Sequence, residues 1–336
     1  LFTARLLNGE VLLAESLSAM FRDLNGDGAP DLYVCNDFFT PDRIWINQGR
    51  GHFRALPRLA LRKTCWASMA VDFADLDRDG FDDFFVADML SRRHRLRQVQ
   101  RSLIETDPLP AWGWGWRSGD VSSRTQVMRN TLSRNRGDGT YAEIAFLAGL
   151  PASEWTWGVA FLDADLDGFE DLLIANGHAH DIADSDAQRE MSAMRPATDP
   201  VTARKPFLKV PPLASANLAF RNRGDLTFEE VGAQWGFDLV GISNGLALAD
   251  LDNDGDLDVV LNNLNAPAAL LRNDCPAPRV AVRLRGLPPN TRGIGARIKV
   301  TGGPVLQSQE MICGGRYLSG DEALRVFAAG SATNLT

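Results

Sequence analysis

Short apolar bursts separated by acidic, glycine-containing turns dominate the polarity pattern of this chain. Met69-Ala-Val-Asp-Phe, Gly158-Val-Ala-Phe-Leu and Gly245-Leu-Ala-Leu-Ala each run into an acidic stretch. Leu32-Tyr-Val, Phe84-Phe-Val, Leu172-Leu-Ile and Val259-Val-Leu follow such stretches. Runs this short and rich in β-formers predict strands. A second punctuation mark is an Asn-x-Gly turn ahead of an aromatic residue: Asn47-Gln-Gly49 with Phe53, Asn135-Arg-Gly137 with Tyr141, and Asn222-Arg-Gly224 with Phe228. Asn and Gly both tolerate positive φ, so each turn suits a tight hairpin. From each Asn to the next acidic stretch the distance is 28 residues: 47 to 75, 135 to 163 and 222 to 250. The repeating unit is about 52 residues with about four strands, which is the pattern of a β-propeller blade. Two units carry insertions, near 91–127 and 178–215.

The acidic stretches are four copies of one nine-residue loop, D-x-[DN]-x-D-G-x-x-D. Positions 1, 3, 5 and 9 are Asp23, Asn25, Asp27 and Asp31 in the first copy, and Asp75, Asp77, Asp79 and Asp83 in the second. The third copy supplies Asp163, Asp165, Asp167 and Asp171, and the fourth Asp250, Asp252, Asp254 and Asp258. Oxygen ligands at this spacing, around a glycine that permits a sharp turn, suit a hard cation and predict up to four Ca²⁺ ions. Asn25 leaves the first loop one carboxylate short, so it is expected to bind most weakly. Position 12 is Val34, Val86, Ile174 or Leu261 instead of the EF-hand glutamate, which argues against that motif.

The loops also explain the charge. The chain of 336 residues carries a formal −8, and four calcium ions would neutralise it. Basic residues are scattered, so no nucleic-acid face is expected. No apolar run is long enough for a transmembrane helix. The chain opens at Leu1, inside a repeat, which predicts a preceding segment.

On these residues the chain resembles FG-GAP (VCBS-type) repeats of integrin α-subunit propellers. Asn135-Arg-Gly-Asp-Gly-Thr-Tyr and the lead-in Ser243-Asn-Gly-Leu-Ala-Leu-Ala-Asp-Leu-Asp fit the same group. After Asn273 the wording changes. Val280-Ala-Val-Arg-Leu-Arg-Gly, Asn290-Thr-Arg-Gly-Ile-Gly-Ala-Arg-Ile-Lys-Val and Gly314-Gly-Arg-Tyr-Leu-Ser resemble an ASPIC/UnbV domain, as in bacterial relatives of cartilage acidic protein. Gly320-Asp-Glu-Ala and Val326-Phe-Ala-Ala-Gly depart from that family's usual wording, and its Trp-Pro-Ser-Gly stretch is not reached. The resemblance implies an all-β chain: residues 1–274 as a fragment of a seven-bladed propeller, and 275–336 as a truncated β-rich domain. It further implies a secreted, periplasmic or cell-surface scaffold with a protein or glycan partner.

Other candidates compete with simpler readings. Arg136-Gly137-Asp138 and Arg223-Gly224-Asp225 spell an integrin-binding tripeptide, but both fall in the repeated hairpin, where Gly and Asp have turn duties. Trp112, Trp114 and Trp116 suggest sugar stacking or packing of their own insertion. His178, His180, Asp181, Asp184 and Asp186 form either a transition-metal site or an ordinary polar loop, the latter favoured for want of a third placed histidine. The cysteines Cys35, Cys65, Cys275 and Cys313 read as buried thiols before disulfides. With no nucleophile elbow, P-loop or HExxH, a non-enzymatic binding role is expected. A lectin-like module and a biosynthetic accessory protein or enzyme are the alternatives.

Overall fold

The computed structural model describes residues 15–38, 40–98, 124–181, 184–193, 210 and 212–336. Within them the chain forms four consecutive antiparallel sheets, arranged as four blades of a β-propeller. The first blade contains β1 (Glu15–Arg22), β2 (Asp31–Asp37), β3 (Arg43–Asn47) and β4 (Phe53–Ala55). A parallel pair joins β5 (Lys63–Cys65), ahead of the second blade, to β8 (Thr125–Val127), which falls between that blade's second and third strands in the chain. That blade runs β6 (Ala70–Ala74), β7 (Asp83–Ala87), β9 (Thr131–Asn135) and β10 (Tyr141–Glu143). The third runs β11 (Thr156–Leu162), β12 (Asp171–Asn176), β14 (Leu218–Asn222) and β15 (Phe228–Glu230). A small pair, β13 (Ser215–Ala216) with β16 (Val240–Gly241), precedes the three-stranded fourth blade of β17 (Ser243–Ala249), β18 (Asp258–Asn263) and β19 (Ala269–Leu271). Residues after 275 form two further pairs: β20 (Arg279–Val282) with β23 (Arg325–Ala328), and β21 (Arg297–Val300) with β22 (Gln307–Glu310).

Each acidic loop joins the first strand of its blade to the second, and the register closes the same way every time. Arg22 pairs with Asp31, Ala74 with Asp83, Leu162 with Asp171 and Ala249 with Asp258. First strands of successive blades pack side by side, β1 on β6, β6 on β11 and β11 on β17. The core therefore lies between blades. Tyr33, Ile44, Phe73, Phe84 and Tyr141 fill the space between the first two, with Tyr33 and Tyr141 edge-on to Phe84 at 5.2 and 5.0 Å. Phe85, Leu132, Phe161, Leu172 and Phe220 fill the next. Leu173, Leu246, Leu248 and Leu261 fill the last.

One close approach between blades requires glycine. Gly177, just after β12, has φ +117°, and a Cβ there would lie 2.7 Å from the Ile242 Cα and against the Gly241 carbonyl. Both obstacles are backbone, so nothing flexible yields. Gly177→Ala should therefore destabilise the fold by about 1–3 kcal/mol in urea titration. An unchanged midpoint would show that β16 moves aside freely.

The C-terminal segment ties the blades together. Arg316 donates to the Asp72 carboxylate on β6 (2.6 Å) and to the Val159 carbonyl on β11 (2.8 Å). Ser319 donates to the Leu246 carbonyl on β17, and Asp321 accepts from the Leu248 N–H. Gly315 sits against the Met20 side chain of β1. A stretch of seven residues, 315–321, thus reaches the first strand of every blade. Nearby, Leu324, Val326 and Ala328 pack with Leu166 of the third acidic loop.

Candidate functional site

Each acidic loop is built by its own carboxylates before any ion is considered. In the first loop Asp23 accepts from the N–H groups of Asp27 and Gly28, and in the third Asp163 accepts from those of Asp167 and Gly168. The loop glycine holds φ between 82° and 100° in all four copies, the left-handed region that a side chain disfavours. Position 4 is left-handed as well, filled by Gly26, Arg78, Leu166 and Asn253, a conformation that costs of order 1–3 kcal/mol away from glycine. The apolar position 7 has a packing duty in two loops: Phe81 and Phe169 lie directly under Gly137 and Gly224 of the hairpin turns.

The ninth-position aspartate ties each loop to the hairpin of its own blade. One oxygen of Asp31, Asp171 and Asp258 accepts from the position-2 N–H of Leu24, Ala164 and Leu251. In all four copies the other oxygen accepts from the hairpin asparagine, at 2.7 Å from Asn47 and Asn135, 2.9 Å from Asn222 and 2.8 Å from Asn273. The asparagine side chain then accepts from the N–H two residues on, at Gly49, Gly137, Gly224 and Cys275. Loop and hairpin are one hydrogen-bonded unit. Asp138 and Asp225 complete the hairpins by accepting from the N–H and hydroxyl of Thr140 and Thr227.

Three loops gather carboxylates tightly enough to hold an ion. Oxygens of Asp75, Asp77 and Asp79, of Asp163, Asp165 and Asp171, and of Asp250, Asp252 and Asp254 lie within 4.8 Å of one another in each group. In the first loop Asn25 instead donates its side-chain N–H to Asp27 at 2.9 Å. Several oxygens of the loop carboxylates are buried with no hydrogen-bond partner: Asp75 Oδ1, Asp77 Oδ1, Asp165 Oδ1 and Asp250 Oδ1, and beside them Asp83 Oδ2. Burial, reinforced by neighbouring carboxylates, pushes Asp83 and Asp163 up to about 8 and Asp75 up to about 7. Asp171 is raised well above its ordinary value for the same reasons, and Asp31 to about 6. Desolvated anions without partners are costly, and a bound cation would relieve that cost.

Position 8 is a site feature that sequence spacing did not flag. Asp82 and Glu170 are buried there. Arg297 of β21 pairs with Asp82 through two contacts of 2.8 and 2.7 Å. Arg78, from position 4 of the second loop, pairs with Glu170 at 2.7 Å and also donates to the Gly168 carbonyl of the third loop. Two adjacent loops are thereby locked to each other. In the fourth loop, Arg279 meets Asp254 and Asp256 at 3.0 and 3.3 Å, and Arg283 meets Asp250 at 3.7 Å.

The remaining candidates separate cleanly. His178 stacks on Trp155 at 4.1 Å, and its Nδ1 meets the His180 carbonyl, while His180 Nδ1 meets the Val210 carbonyl. Both rings are thus engaged with protein groups, as in an ordinary polar loop. All four cysteines are free, and only Cys35 and Cys65 are buried; Cys313 is exposed, a departure from the four-buried-thiols reading. Trp112, Trp114 and Trp116, with most of the first insertion, lie outside the described residues.

The family described as FG-GAP-like repeat matches residues 23–86 and 213–261, which cover the first two and the last acidic loops. The chain therefore carries FG-GAP-like repeats on a propeller arrangement. Among solved structures, a lectin of Agrocybe aegerita that recognises non-reducing terminal N-acetylglucosamine is similar at 14% identity, covering 90% of this chain and 68% of that one with a TM-score of 0.35. No curated protein matches the chain. Among the described residues, no helix is long and apolar enough to cross a membrane.

Proposed function

We propose that this chain is a calcium-binding propeller scaffold of the cell exterior, presenting a surface to a protein or glycan partner without catalysing a reaction of its own. One observation carries the calcium reading. Carboxylate oxygens converge in the second, third and fourth loops, and each of these loops holds at least one buried oxygen without a hydrogen-bond partner: Asp75 Oδ1 and Asp77 Oδ1, Asp165 Oδ1, and Asp250 Oδ1. Side chains that supply only hard oxygen suit Ca²⁺ better than Zn²⁺ or Cu²⁺, which favour nitrogen and sulfur. In each loop, positions 1, 3, 5 and 9 would hold the ion, and the ion would supply charge neutralisation and rigidity where adjacent strands meet. The scaffold role rests on the repeated blade. The resemblance of residues 275–336 to an ASPIC/UnbV domain belongs to the same reading, as does export.

Calorimetric titration of the EGTA-stripped protein with CaCl₂ tests the calcium reading. Heats fitting three or four sites are expected, with MgCl₂ giving much weaker binding, because Mg²⁺ demands stricter geometry and dehydrates reluctantly. No heat with calcium would overturn it.

A further inference from the structure

We propose that Arg134 and Arg221 are positioning residues for the ions of the second and third loops. This rests on the calcium reading and extends it to groups outside the D-x-D-x-D-G-x-x-D motif. Arg134 and Arg221 occupy equivalent places on the third strand of their blades, one residue before the hairpin asparagine. They grip the same atoms. Arg134 Nε lies 2.7 Å from Asp77 Oδ2 and its Nη2 3.5 Å from Asp79 Oδ2. Arg221 Nε lies 2.7 Å from Asp165 Oδ2 and its Nη2 3.3 Å from Asp167 Oδ2. Each guanidinium bridges positions 3 and 5 and takes Oδ2 of both. What it leaves is informative, for Asp77 Oδ1 and Asp165 Oδ1 stay buried and without a partner. The clamp fixes which oxygen of the third-position carboxylate remains for a cation.

The other loops confirm that the fifth-position Oδ2 needs a side-chain N–H, and they obtain it elsewhere. In the first loop Asn25 supplies it to Asp27, and the strand position held by Arg in blades two and three is the buried Ile46. In the fourth loop Arg279, from β20, supplies it to Asp254 at 3.0 Å, while Arg272 reaches only to 4.0 Å from Asp252. Charge follows the same logic. Counting positions 1, 3, 5 and 9 alone, four carboxylates with one guanidinium leave a formal −3 in the second and third loops, and three carboxylates without one leave −3 in the first. The Asn25–Ile46 pair thus stands where the other blades have an Asp–Arg pair. Planar, two-pronged contact is something arginine makes and lysine does not. A partner that orients a metal ligand from behind commonly governs affinity.

The test uses the whole chain, stripped with EGTA, with calcium calorimetry and Tb³⁺ luminescence lifetimes in H₂O and D₂O as readouts. Arg221→Met should weaken one site by about 10–100-fold, leave the remaining sites unchanged, and raise the number of waters on the terbium ion at that site. Arg221→Lys should recover only a small part of the loss, because it keeps the charge and not the bridge. Arg134→Met should repeat the result at a second site. Both arginine side chains are 40–45% exposed, so the fold should survive, and circular dichroism verifies it. Unchanged affinity and water count in both methionine variants would overturn the proposal. Tighter binding would also overturn it, showing that the guanidinium opposes the ion by charge. Wild-type protein that takes up neither calcium nor terbium would instead sink the calcium reading beneath it.

Discussion

Arg316→Met should destabilise the protein by about 3–5 kcal/mol, the range for breaking a buried ion pair from one side. The guanidinium is 3% exposed, and its partners Asp72 and Asp321 are 1% and 2% exposed. Burial alone would raise the Asp72 carboxyl, but Arg316 and Arg22 outweigh it and hold it below the usual range. Without Arg316, two buried carboxylates remain with backbone N–H donors and, for Asp72, Arg22 at 3.5 Å as the remaining paired cation. Urea denaturation followed by tryptophan fluorescence measures the loss. Adding Asp72→Asn to Arg316→Met should return part of the stability, because it removes one stranded charge. A double variant no more stable than the single would show that the lost hydrogen bonds, and not the stranded charge, set the cost.

The second large effect couples pH to calcium. Asp75, Asp83 and Asp163 titrate at about 7 to 8 in the folded, ion-free loops, against about 3.9 in an unfolded chain. Between those limits the folded state binds more protons than the unfolded one, so ion-free stability falls as pH rises from about 4 to about 8. Calcium requires the deprotonated carboxylates, so its stabilisation runs the other way and is greatest once they have ionised. On the proposed calcium reading, each site would contribute about 2.7 kcal/mol when calcium exceeds its Kd by about 100-fold. Melting temperatures in EGTA and in calcium should therefore lie far apart at pH 8.5 and close together at pH 5.5. A gap that is constant or widens at low pH would contradict the raised carboxylates.

Much of this architecture was legible in the residues. The interval from each hairpin asparagine to the next acidic loop marked the blade, and the apolar bursts marked its first two strands. What joins hairpin to loop was not legible. It is the set Asp31, Asp83, Asp171 and Asp258, each of which accepts from the asparagine N–H of its own blade. These residues build the loop, a duty that spacing alone does not separate from the proposed one of offering oxygen to an ion. Arg134, Arg221 and Arg272 were visible as a repeated residue before that asparagine, yet nothing in a one-dimensional pattern shows that a strand residue faces a loop some 57 positions away. Arg316 was harder still. Its tripeptide setting, Gly315-Arg316-Tyr317, resembles a surface turn, and only the packed structure shows it entering between blades. Polar residues buried across distant segments leave no periodic trace.

The stretch that ties the first strands together also sets an order of assembly. Arg316 meets Asp72 across 244 positions, and the Asp23 N–H meets Glu310 across 287. Contacts so distant along the chain close slowly, because loop entropy must be overcome before they contribute. Each blade, by contrast, closes its sheet through neighbours only tens of residues apart. On a ribosome the blades would form in sequence and wait, their inner edges bare, until residues 315–321 emerged. The interval before that latch arrives is when the β6 and β11 edges are most open to pairing with another chain.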